Sequence, residues 1–470
     1  MNNKIYKLNT CLICILIGTL LWSCEDFVEV DAPRNEIIRE TAITDDESAV
    51  AAISGIYSEF ESNGSFTNSD LDRLMGLYSD ELLASPNSET ELEYFQSNLT
   101  VENGHSDIFW SSSFNSLLNI NSLLEILEDN NQVTQELKNQ IEGEAKFLRA
   151  FSHFYLTNLF GRSPIITSSD VVTNNTISRS DEQMVYQQII LDLEDAIGLM
   201  AADFSFIEGK RIRPNRDAAI ALLARTYLYI EDWEKAEEQA TLLINNNLYT
   251  LETDLNDVFL AANDEAIWQI EPSQISTNFT VLQANRFVIQ QTAIGLGSRS
   301  VFRNELINSF EVGDRRFTDW VGSFNDPGTG INYYFPYKYK NVTNNIVRDQ
   351  EYLSVFRLAE QYLIRAEARA KQGNIIGAQS DVNSIRNRAG LANTTANTQV
   401  DLLMAVEQER KVELFTEFAH RWLDIKRTGK ADAVLSPIKT DSWRSTNTLL
   451  PISLSEIEIN PNLLPQNQGY

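Results

Sequence analysis

Apolar side chains recur at spacings near three and four over most of this chain, which is the period of an amphipathic helix. The pattern covers four stretches, residues 49–60, 115–127, 137–159 and 183–200. Gly161, Pro164 and Pro214 interrupt it, as residues that end helices do. We therefore predict a mostly α-helical protein with a few short strands, one of them at Ala266–Ile270, where apolar and β-branched residues cluster.

One helical hairpin occurs twice along the chain. Its first copy has Ala224, Tyr227, Ala236 and Leu243 at the same spacing as Ala366, Arg369, Ala378 and Ile385 in the second. Small residues at such matched positions let two antiparallel helices pack closely, as in tetratricopeptide repeats. Asp232 and Asn374 are suited to cap the second helix of each hairpin, and Gly373 to end a helix. A weaker third copy pairs residues 110–127 with 142–159. The alternative is chance similarity in an alanine-rich helical protein.

The first residues have the layout of a bacterial lipoprotein leader. Lys4 and Lys7 precede an apolar run from Cys11 to Trp22, and Ser23-Cys24 follows. A run of about twelve residues is too short to cross a bilayer of roughly 30 Å, so cleavage is expected. We predict a signal peptide over residues 1–23, a lipidated Cys24 and a linker to residue 40. The alternatives are an uncleaved anchor and a plain secretory leader.

The net charge argues against a nucleic-acid-binding protein, and the cysteine positions argue against a disulfide. The formal net charge of −28 makes nucleic acid an improbable partner, because phosphate binding needs a basic face. All three cysteines lie in the leader or at its end, which leaves no pair for a disulfide. Residues 272–348 differ from the rest, with eight Lys or Arg against five Asp or Glu.

Two segments carry little helical period. They cover about 62–110 and 252–351, whereas the predicted helical scaffold covers about 41–61, 112–160, 183–249 and 352–430. The second segment is enriched in Gly, Asn, Ser and Thr. Long irregular segments on a rigid scaffold commonly carry the contacts of a protein. We therefore expect both segments to face a ligand.

Four blocks of sequence resemble the SusD/RagB family of outer-membrane lipoproteins of Bacteroidetes. Glu144–Ala150, with Leu159–Gly161 and Pro164–Ile166, is similar to the family's GEARFLRA and FGxxPLI stretches. Arg357–Ala368 is similar to its RLAExYLIxAEA block, and Glu409–Arg427 to its ERxxEL and RWxDLKR pattern. The ending from Pro451 to Tyr470 resembles PIPxxEI, NP and QNPGY, with Gln468 in place of the usual proline.

The resemblance implies a single domain of this fold over residues 41–470. It also implies a lipid-anchored protein on the outer face of the outer membrane, and Glu25-Asp26 after Cys24 is similar to the acidic tag of such lipoproteins. Such a protein captures an oligo- or polysaccharide for a SusC-like TonB-dependent transporter. Neither a cofactor nor covalent chemistry is needed. Peptide capture, as in the RagB branch of the family, is the strongest alternative.

A glycan site needs exposed aromatic rings beside hydrogen-bonding side chains, because sugars present apolar C–H faces and hydroxyl rims. The candidates in the two loop-rich segments are Tyr94, Phe95, Gln96, Trp320, Tyr333, Tyr334, Tyr337 and Tyr339. The alternative for each ring is a place in the core. Arg299, Arg303 and Arg316 can recognise an acidic sugar, or form simple salt bridges with Glu305, Glu311 and Asp314. Four further tryptophans, Trp110, Trp233, Trp268 and Trp422, fit structural positions.

Catalysis and metal binding have little support. Glu409, Glu413 and Glu417 share one helical face, but two carboxylates of a glycosidase must flank the scissile bond. Arg421 lies one turn beyond Glu417, so we predict an i,i+4 ion pair between these two. His105, His153 and His420 are scattered, and the sequence contains no HExxH motif or EF-hand loop. We therefore predict a binding protein without a metal site, not an enzyme.

Overall fold

The computed structural model describes residues 43–61, 65–67, 69–84, 89–261, 263–272, 279–290, 299–343 and 345–470. The predicted leader and Cys24 lie outside the described residues, so lipid attachment stays a prediction. Helices dominate the described part of the chain and the strands are short, which confirms the predicted fold class. No described helix combines the length and the apolar character needed to span a bilayer.

The helices fall into two runs along the chain. The first run is α1 (Asp46–Glu61), α2 (Ser69–Tyr78), α3 (Glu89–Gln96), α4 (Gly104–Glu128), α5 (Gln135–Phe160), α6 (Val171–Asn174), α7 (Glu182–Leu199), α8 (Arg216–Tyr229) and α9 (Trp233–Ile244). The second run is α10 (Leu282–Phe287), α11 (Asn304–Ile307), α12 (Arg315–Trp320), α13 (Leu358–Lys371), α14 (Ile375–Arg388), α15 (Gln399–Glu413), α16 (His420–Arg427), α17 (Ala431–Leu435) and α18 (Leu454–Ile459). Short 3-10 turns lie at 205–207, 445–448 and 461–463.

The strands form small antiparallel pairs. They are β1 (Leu82–Leu83), β2 (Ala266–Ile270), β3 (Val301–Phe302), β4 (Val321–Asn325), β5 (Asn332–Pro336) and β6 (Leu353–Arg357). β1 pairs with β3, β2 with β6, and β4 with β5. The predicted strand at Ala266–Ile270 is therefore confirmed as β2, and every one of its residues is buried.

The repeated hairpins are α8–α9 and α13–α14, and they pack against each other through α9 and α13. Ala224 and Ala236 of the first hairpin, and Ala366 and Ala378 of the second, are fully buried. The weaker third copy is the pair α4–α5, whose helices also pack together. From α4 to α15, neighbouring helices of this scaffold are in contact along a continuous row. The tetratricopeptide-like packing expected from the spacing is thus confirmed.

The turn chemistry of the two hairpins also follows the sequence. Asp232 accepts a hydrogen bond from the main-chain N–H of Lys235 at 3.2 Å, and Asn374 accepts one from that of Gly377 at 3.0 Å. Each therefore caps the second helix of its hairpin. Gly373 precedes Asn374 with φ of +80°, a conformation that glycine adopts without steric cost.

Arg369 has a role that its alignment with Tyr227 did not indicate. Its guanidinium donates to Glu237 of α9 at 2.7 Å and to Asp381 of α14 at 2.9 Å. The side chain is about four-fifths buried. Arg369 therefore links the two hairpins through ion pairs, at the position where the first hairpin has an aromatic ring.

The first loop-rich segment is more helical than the sequence interpretation held. Residues 62–110 contain α2, α3 and the start of α4, together with β1. Leu71, Leu74, Met75 and Tyr78 on α2 are buried, and their spacing of three and four is that of an amphipathic helix. This short pattern was overlooked because acidic and glycine-containing stretches surround it.

A buried cluster of charges joins the second loop-rich segment to the helical scaffold. We refer to it as the ionic joint, and it consists of Glu265, Asp314, Arg316, Lys338, Arg357, Arg388, Glu409, Glu413 and Glu417. Arg357 alone contacts Glu265 at 2.7 Å, Glu413 at 2.9 Å and Glu417 at 2.8 Å. All members of the ionic joint except Arg388 are at most 6% exposed as residues, and the Arg388 side chain is 4% exposed.

The charges of the ionic joint compensate one another. Burial raises the pKa of the Glu413 carboxyl, but the charges of Arg388, Arg357 and Arg316 outweigh burial and hold that pKa well below its ordinary value. Burial also lowers the pKa of the Lys338 ammonium to about 8, although Glu417 opposes the shift. A buried network of this kind stabilises a fold only while every partner is present.

Candidate functional site

The fold brings the two loop-rich segments together. Strand β1 of the first segment pairs with β3 of the second, with Leu82 opposite Phe302 and Leu83 opposite Val301. Helix α10 contacts both α2 and β5, and the Gln283 amide donates to Asp72 at 3.0 Å. Side chains that lie more than two hundred positions apart in the chain thereby reach the same region of the molecule.

The end of α3 provides the first group of candidate side chains. Phe95 is half-buried and Gln96 is exposed. The Arg303 guanidinium lies 5.3 Å from the centre of the Phe95 ring, so it covers one face of that ring. Lys439 holds this end of α3 in place, since its ammonium donates to the carbonyl of Tyr78 at 2.6 Å and to the Ser97 hydroxyl at 2.9 Å.

The β4–β5 hairpin provides the second group. Tyr333 and Tyr334 are half-buried neighbours on β5, so their rings point to opposite faces of the hairpin. Tyr334 packs against Phe317, with ring centres 5.7 Å apart. Gly322 on β4 lets the Phe335 ring approach closely, because a Cβ atom at this position would lie 2.3 Å from that ring. The hairpin geometry therefore depends on this glycine.

Two further rings belong to the second loop-rich segment. Tyr337 is half-buried, and the Lys340 ammonium lies 5.1 Å from its ring centre. Phe279, which precedes α10, is 48% exposed. The sequence interpretation overlooked Phe279, although its position in a stretch of Ser, Thr and Asn was a signal for an exposed loop. We refer to the half-buried or exposed candidates as the aromatic set: Phe95, Gln96, Phe279, Tyr333, Tyr334 and Tyr337.

Three predicted ligand-binding rings lie in the core instead. Trp320 is fully buried, and its indole N–H donates to the carbonyl of Leu255 at 2.8 Å. Tyr94 is fully buried, with its hydroxyl 2.8 Å from that of Ser106. Tyr339 is 5% exposed and accepts a hydrogen bond from the main-chain N–H of Ser354. These three rings cannot serve as exposed platforms, because the segments around them fold into short helices and strands that cover them.

Three of the eight cationic side chains of residues 272–348 are buried and paired inside the protein. Arg316 and Lys338 belong to the ionic joint, and Arg303 pairs with Glu305 at 3.3 Å. The salt bridges that the sequence offered for Arg303 and Arg316 are thus confirmed for Glu305 and Asp314. Arg286 keeps a side chain 46% exposed. Arg299 is half-buried and remains a candidate.

The three glutamates weighed as catalytic acids belong to the ionic joint. Glu409 contacts Arg316 at 2.9 Å, and Glu413 and Glu417 contact Arg357. The predicted Glu417–Arg421 pair is wrong, because Arg421 contacts Asp80 of the first loop-rich segment at 2.6 Å. The helix that this prediction assumed is broken: α15 ends at Glu413 and α16 begins at His420.

The contacts of His153 indicate a structural role for this histidine. His153 is fully buried, with Nδ1 3.0 Å from the carbonyl of Arg149 and Nε2 accepting from the main-chain N–H of Ile166. Burial lowers the pKa of this imidazole to about 4. Among the described residues, no three His, Cys, Asp or Glu side chains are grouped in a way that could hold a metal ion.

Sequence comparisons place these features in a family. The family described as "starch-binding associating with outer membrane" matches residues 26–228, and the SusD family matches residues 305–470. The chain belongs to the SusD/RagB family. This confirms the family inferred from the sequence blocks, and it makes the protein a member of a family that binds carbohydrates and does not catalyse reactions on them.

The relatives described here cover 70% to 99% of the chain. SusD-like protein P25 of Formosa agariphila is 25% identical over 99% of this chain and 100% of its own length. Starch-binding protein SusD of Bacteroides thetaiotaomicron is 25% identical over 70% of this chain and 72% of its own. A SusD superfamily structure from Bacteroides vulgatus has a TM-score of 0.80 and 20% identity, and covers 91% of this chain and 99% of that one. The last similarity concerns the fold.

Proposed function

We propose that this SusD/RagB protein captures an oligo- or polysaccharide at the cell surface with the aromatic set and delivers it to a SusC-like TonB-dependent transporter. The observation that carries the proposal is the joining of the two loop-rich segments in a member of a glycan-binding family. Half-buried rings offer apolar faces to sugar C–H groups, while Gln96 and the tyrosine hydroxyls offer hydrogen bonds to the hydroxyl rim.

The carboxylate contacts of the cationic side chains in this segment favour a neutral ligand over an acidic one. Arg303, Arg316 and Lys338 already contact carboxylates. An acidic sugar needs guanidinium groups free for paired hydrogen bonds. Arg286, Arg299 and Arg315 are arginines of this region through which an acidic polysaccharide would still bind.

The anchoring part of the proposal concerns residues 1–40. A lipid on Cys24 keeps the binding domain at the outer membrane, with which the matching family is associated. Two or more acyl chains make such attachment effectively permanent. Labelling of cells with a radioactive fatty acid tests this point, since a Cys24→Ala variant should lose the label and leave the membrane fraction.

Affinity electrophoresis of the purified mature protein tests the binding function. Native gels that contain soluble neutral or acidic polysaccharides should retard the protein with at least one neutral glycan. A parallel titration with oligopeptides covers the peptide alternative, and saturable peptide binding without glycan retention would contradict the proposal. Release of reducing ends during incubation with a glycan would contradict the assignment as a binding protein. Co-purification with a membrane channel tests the partner.

A further inference from the structure

A groove of about 550 Å³ lies at the start of α5, close to where the described chain begins. Its walls come from the first turns of α5, the end of α7 and the 3-10 turn at 205–207, and Asp46 of α1 also lines it. None of its described lining residues belongs to the aromatic set. Sites that bury drug-sized ligands measure about 300–1,000 Å³, so this groove has room for a short stretch of polypeptide.

The groove is next to the point where the chain before Ile43 enters the domain. Ile43 is buried, and its carbonyl accepts a hydrogen bond from the Asn130 amide at 2.9 Å. The Asp46 carboxylate accepts from the main-chain N–H of Thr134 at 2.7 Å and from the Thr134 hydroxyl at 2.9 Å. Both of these residues line the groove. An extended chain covers up to about 3.6 Å per residue, so residues 35–42 can reach the groove.

Several polar side chains of the groove are already engaged within the protein. Gln140 Oε1 accepts from the main-chain N–H of Ala201 at 2.8 Å, and the Gln140 amide donates to Glu144 at 2.8 Å. The Ser205 hydroxyl donates to Asp203 at 2.7 Å. A sugar needs many hydrogen bonds to its hydroxyl rim, and here it would compete with these internal contacts. The groove is therefore a poor site for a glycan.

The lining leaves an apolar part and an acidic part for an occupant. Leu137 and Phe206 are half-buried in the groove, and the Arg213 guanidinium lies 5.5 Å from the centre of the Phe206 ring. Among the described lining residues, those with a charge are Asp46 and Glu136. Both charges are negative. The groove therefore suits a segment that carries an aliphatic side chain close to a cation.

Residues 35–42 present this combination on one side. Alternate side chains of an extended segment point to opposite sides, and the adjacent β-branched residues Ile37 and Ile38 favour extended backbone. The odd-numbered positions carry polar, aliphatic and cationic side chains: Asn35, Ile37, Arg39 and Thr41. Both acids of the stretch, Glu36 and Glu40, lie on the other side. One side of the segment thus matches the groove in apolar character and in charge.

The composition of residues 25–42 also differs from that of a flexible linker. Flexible linkers are rich in Gly and Ser, and this stretch contains neither. It carries five large apolar side chains instead: Phe27, Val28, Val30, Ile37 and Ile38. Burial of such side chains is favourable, so the segment gains free energy when part of it binds to the domain.

We propose that residues 35–42 bind in this groove, with Ile37 in its apolar part and Arg39 beside Glu136. The odd-numbered side chains face the groove and the even-numbered ones face solvent. The occupant is thus a segment of the same chain, which the groove meets at the point of entry.

This contact shortens the tether of the domain. The chain from Cys24 to Asn35 extends up to about 40 Å, whereas the chain from Cys24 to Ile43 extends up to about 68 Å. The groove end of the domain is then held closer to the membrane. This consequence rests on the proposed lipid at Cys24, whereas the groove contact itself does not.

Chemical cross-linking of the full mature chain locates the segment. All natural cysteines lie at or before residue 24, so the mature chain with Cys24→Ser has none. Asn35→Cys is combined with Ser205→Cys in the groove or, as the control, with Ser54→Cys on α1. Both serines are exposed, and Ser54 lies outside the groove but within reach of residue 35. A short bismaleimide should link the groove pair within one chain about tenfold faster than the control pair.

Hydrogen exchange of residues 35–42, followed by mass spectrometry, tests the charge contact. Glu136→Lys should speed the exchange roughly threefold, as expected for loss of a partly exposed ion pair. Arg39→Glu combined with Glu136→Lys should restore the slower exchange. Glu234→Lys is the matched control, because Glu234 is also exposed and also the second residue of its helix. It should leave the exchange unchanged.

Four results would overturn the proposal. Equal rates for the groove pair and the control pair would place the segment elsewhere, and a link between two chains would make the groove an interface between copies. Exchange as fast as that of a free peptide with the sequence of residues 35–42 would mean that the segment does not bind. Equal exchange in Glu136→Lys and Glu234→Lys would remove the Arg39 contact. All these proteins lack the lipid, so failure of lipid attachment or of glycan binding is measured separately.

Discussion

The ionic joint and the aromatic set both draw side chains from residues 252–351, yet they have opposite surroundings. In the ionic joint, Arg357 and Glu413 are buried and each contacts several opposite charges. In the aromatic set, Tyr333 and Phe279 keep part of their surface exposed. Trp320 shows that residue type alone does not decide the role, since it is fully buried beside Lys338 of the ionic joint.

The difference suggests that the ionic joint supports the fold and that the aromatic set binds the ligand. A buried network of opposite charges holds the second loop-rich segment rigidly on the scaffold, and rigid support limits the entropy cost of ligand binding at the exposed rings. Variation of the exposed rings then changes affinity for a ligand with little effect on stability. Variation of the ionic joint changes stability first.

The largest effect is expected at the centre of the ionic joint. Glu413→Gln leaves Arg357, Arg388 and Arg316 without one of their shared charges and should lower the free energy of unfolding by about 3–5 kcal/mol. Urea unfolding followed by circular dichroism measures it. Glu142→Gln is the control, because the Glu142–Lys146 pair is partly exposed and such pairs contribute about 1 kcal/mol or less. Equal losses in the two variants would refute a special role for the ionic joint.

Substitutions at two rings distinguish a ring of the core from a ring of the proposed glycan site. Trp320→Phe should lower the free energy of unfolding by roughly 1–3 kcal/mol, because a buried hydrogen bond and part of a ring are lost, and leave glycan affinity unchanged. Phe95→Leu keeps apolar volume but removes a flat face, so it should weaken glycan binding by about tenfold, or ~1.4 kcal/mol. Affinity gels that contain the glycan identified by affinity electrophoresis measure the glycan affinity of both variants. The reverse outcome would return Trp320 to the site.

Asp72 should make stability depend on pH. Burial, with the nearby charge of Glu417, raises the pKa of the Asp72 carboxyl to about 7 although Gln283 opposes the shift. The native state therefore keeps the proton over a range where the unfolded chain has lost it, and stability falls as pH rises from about 4 to about 7. Asp72→Asn removes this dependence.

The free energy of unfolding of the wild type and of Asp72→Asn, measured at several pH values, shows whether stability falls as pH rises. The variant should gain roughly 2–3 kcal/mol relative to the wild type between pH 5 and pH 8. A difference between the two proteins that does not change with pH would contradict the account of Asp72 as a buried acid that joins the loop-rich segments.

The smallest effects are expected at the hairpin caps. Asp232→Ala and Asn374→Ala each remove one side-chain acceptor from a helix start and should cost about 1 kcal/mol. Ser384→Ala is the control, since Ser384 is half-buried in the middle of α14 and its hydroxyl donates to the Ser380 carbonyl of the same helix, and it should change stability by less than about 0.5 kcal/mol. Similar losses in the two cap variants support equivalent hairpins, whereas a loss in one only would separate them.

Sequence patterns within single helices and hairpins predicted the helical scaffold well. The matched positions Ala224 and Ala366 and the caps Asp232 and Asn374 depend on spacing within a single hairpin, and the helical period makes that spacing visible in the sequence. The main parts of three of the four family blocks likewise lie on α5, α13, α15 and α16. The amphipathic pattern of α2 was equally local but short.

Long-range partners could not be predicted in the same way. The i,i+4 rule for Glu417 and Arg421 assumes a continuous helix, but Thr416, Phe418 and Ala419 have positive φ and turn the chain between α15 and α16. Arg421 consequently meets Asp80, 341 positions away. The burial of Trp320 has a similar origin, because its partner carbonyl at Leu255 is 65 positions distant.

The most direct test of the account is a crystal structure of the mature protein with the glycan selected by affinity electrophoresis. The account predicts sugar rings in contact with Phe95 or with the tyrosines of β5, on the region where β1 meets β3. It also predicts that the ionic joint keeps its contacts. Sugar bound only to the helical hairpins, with every ring of the aromatic set free, would contradict the claim that the two loop-rich segments together form the glycan site.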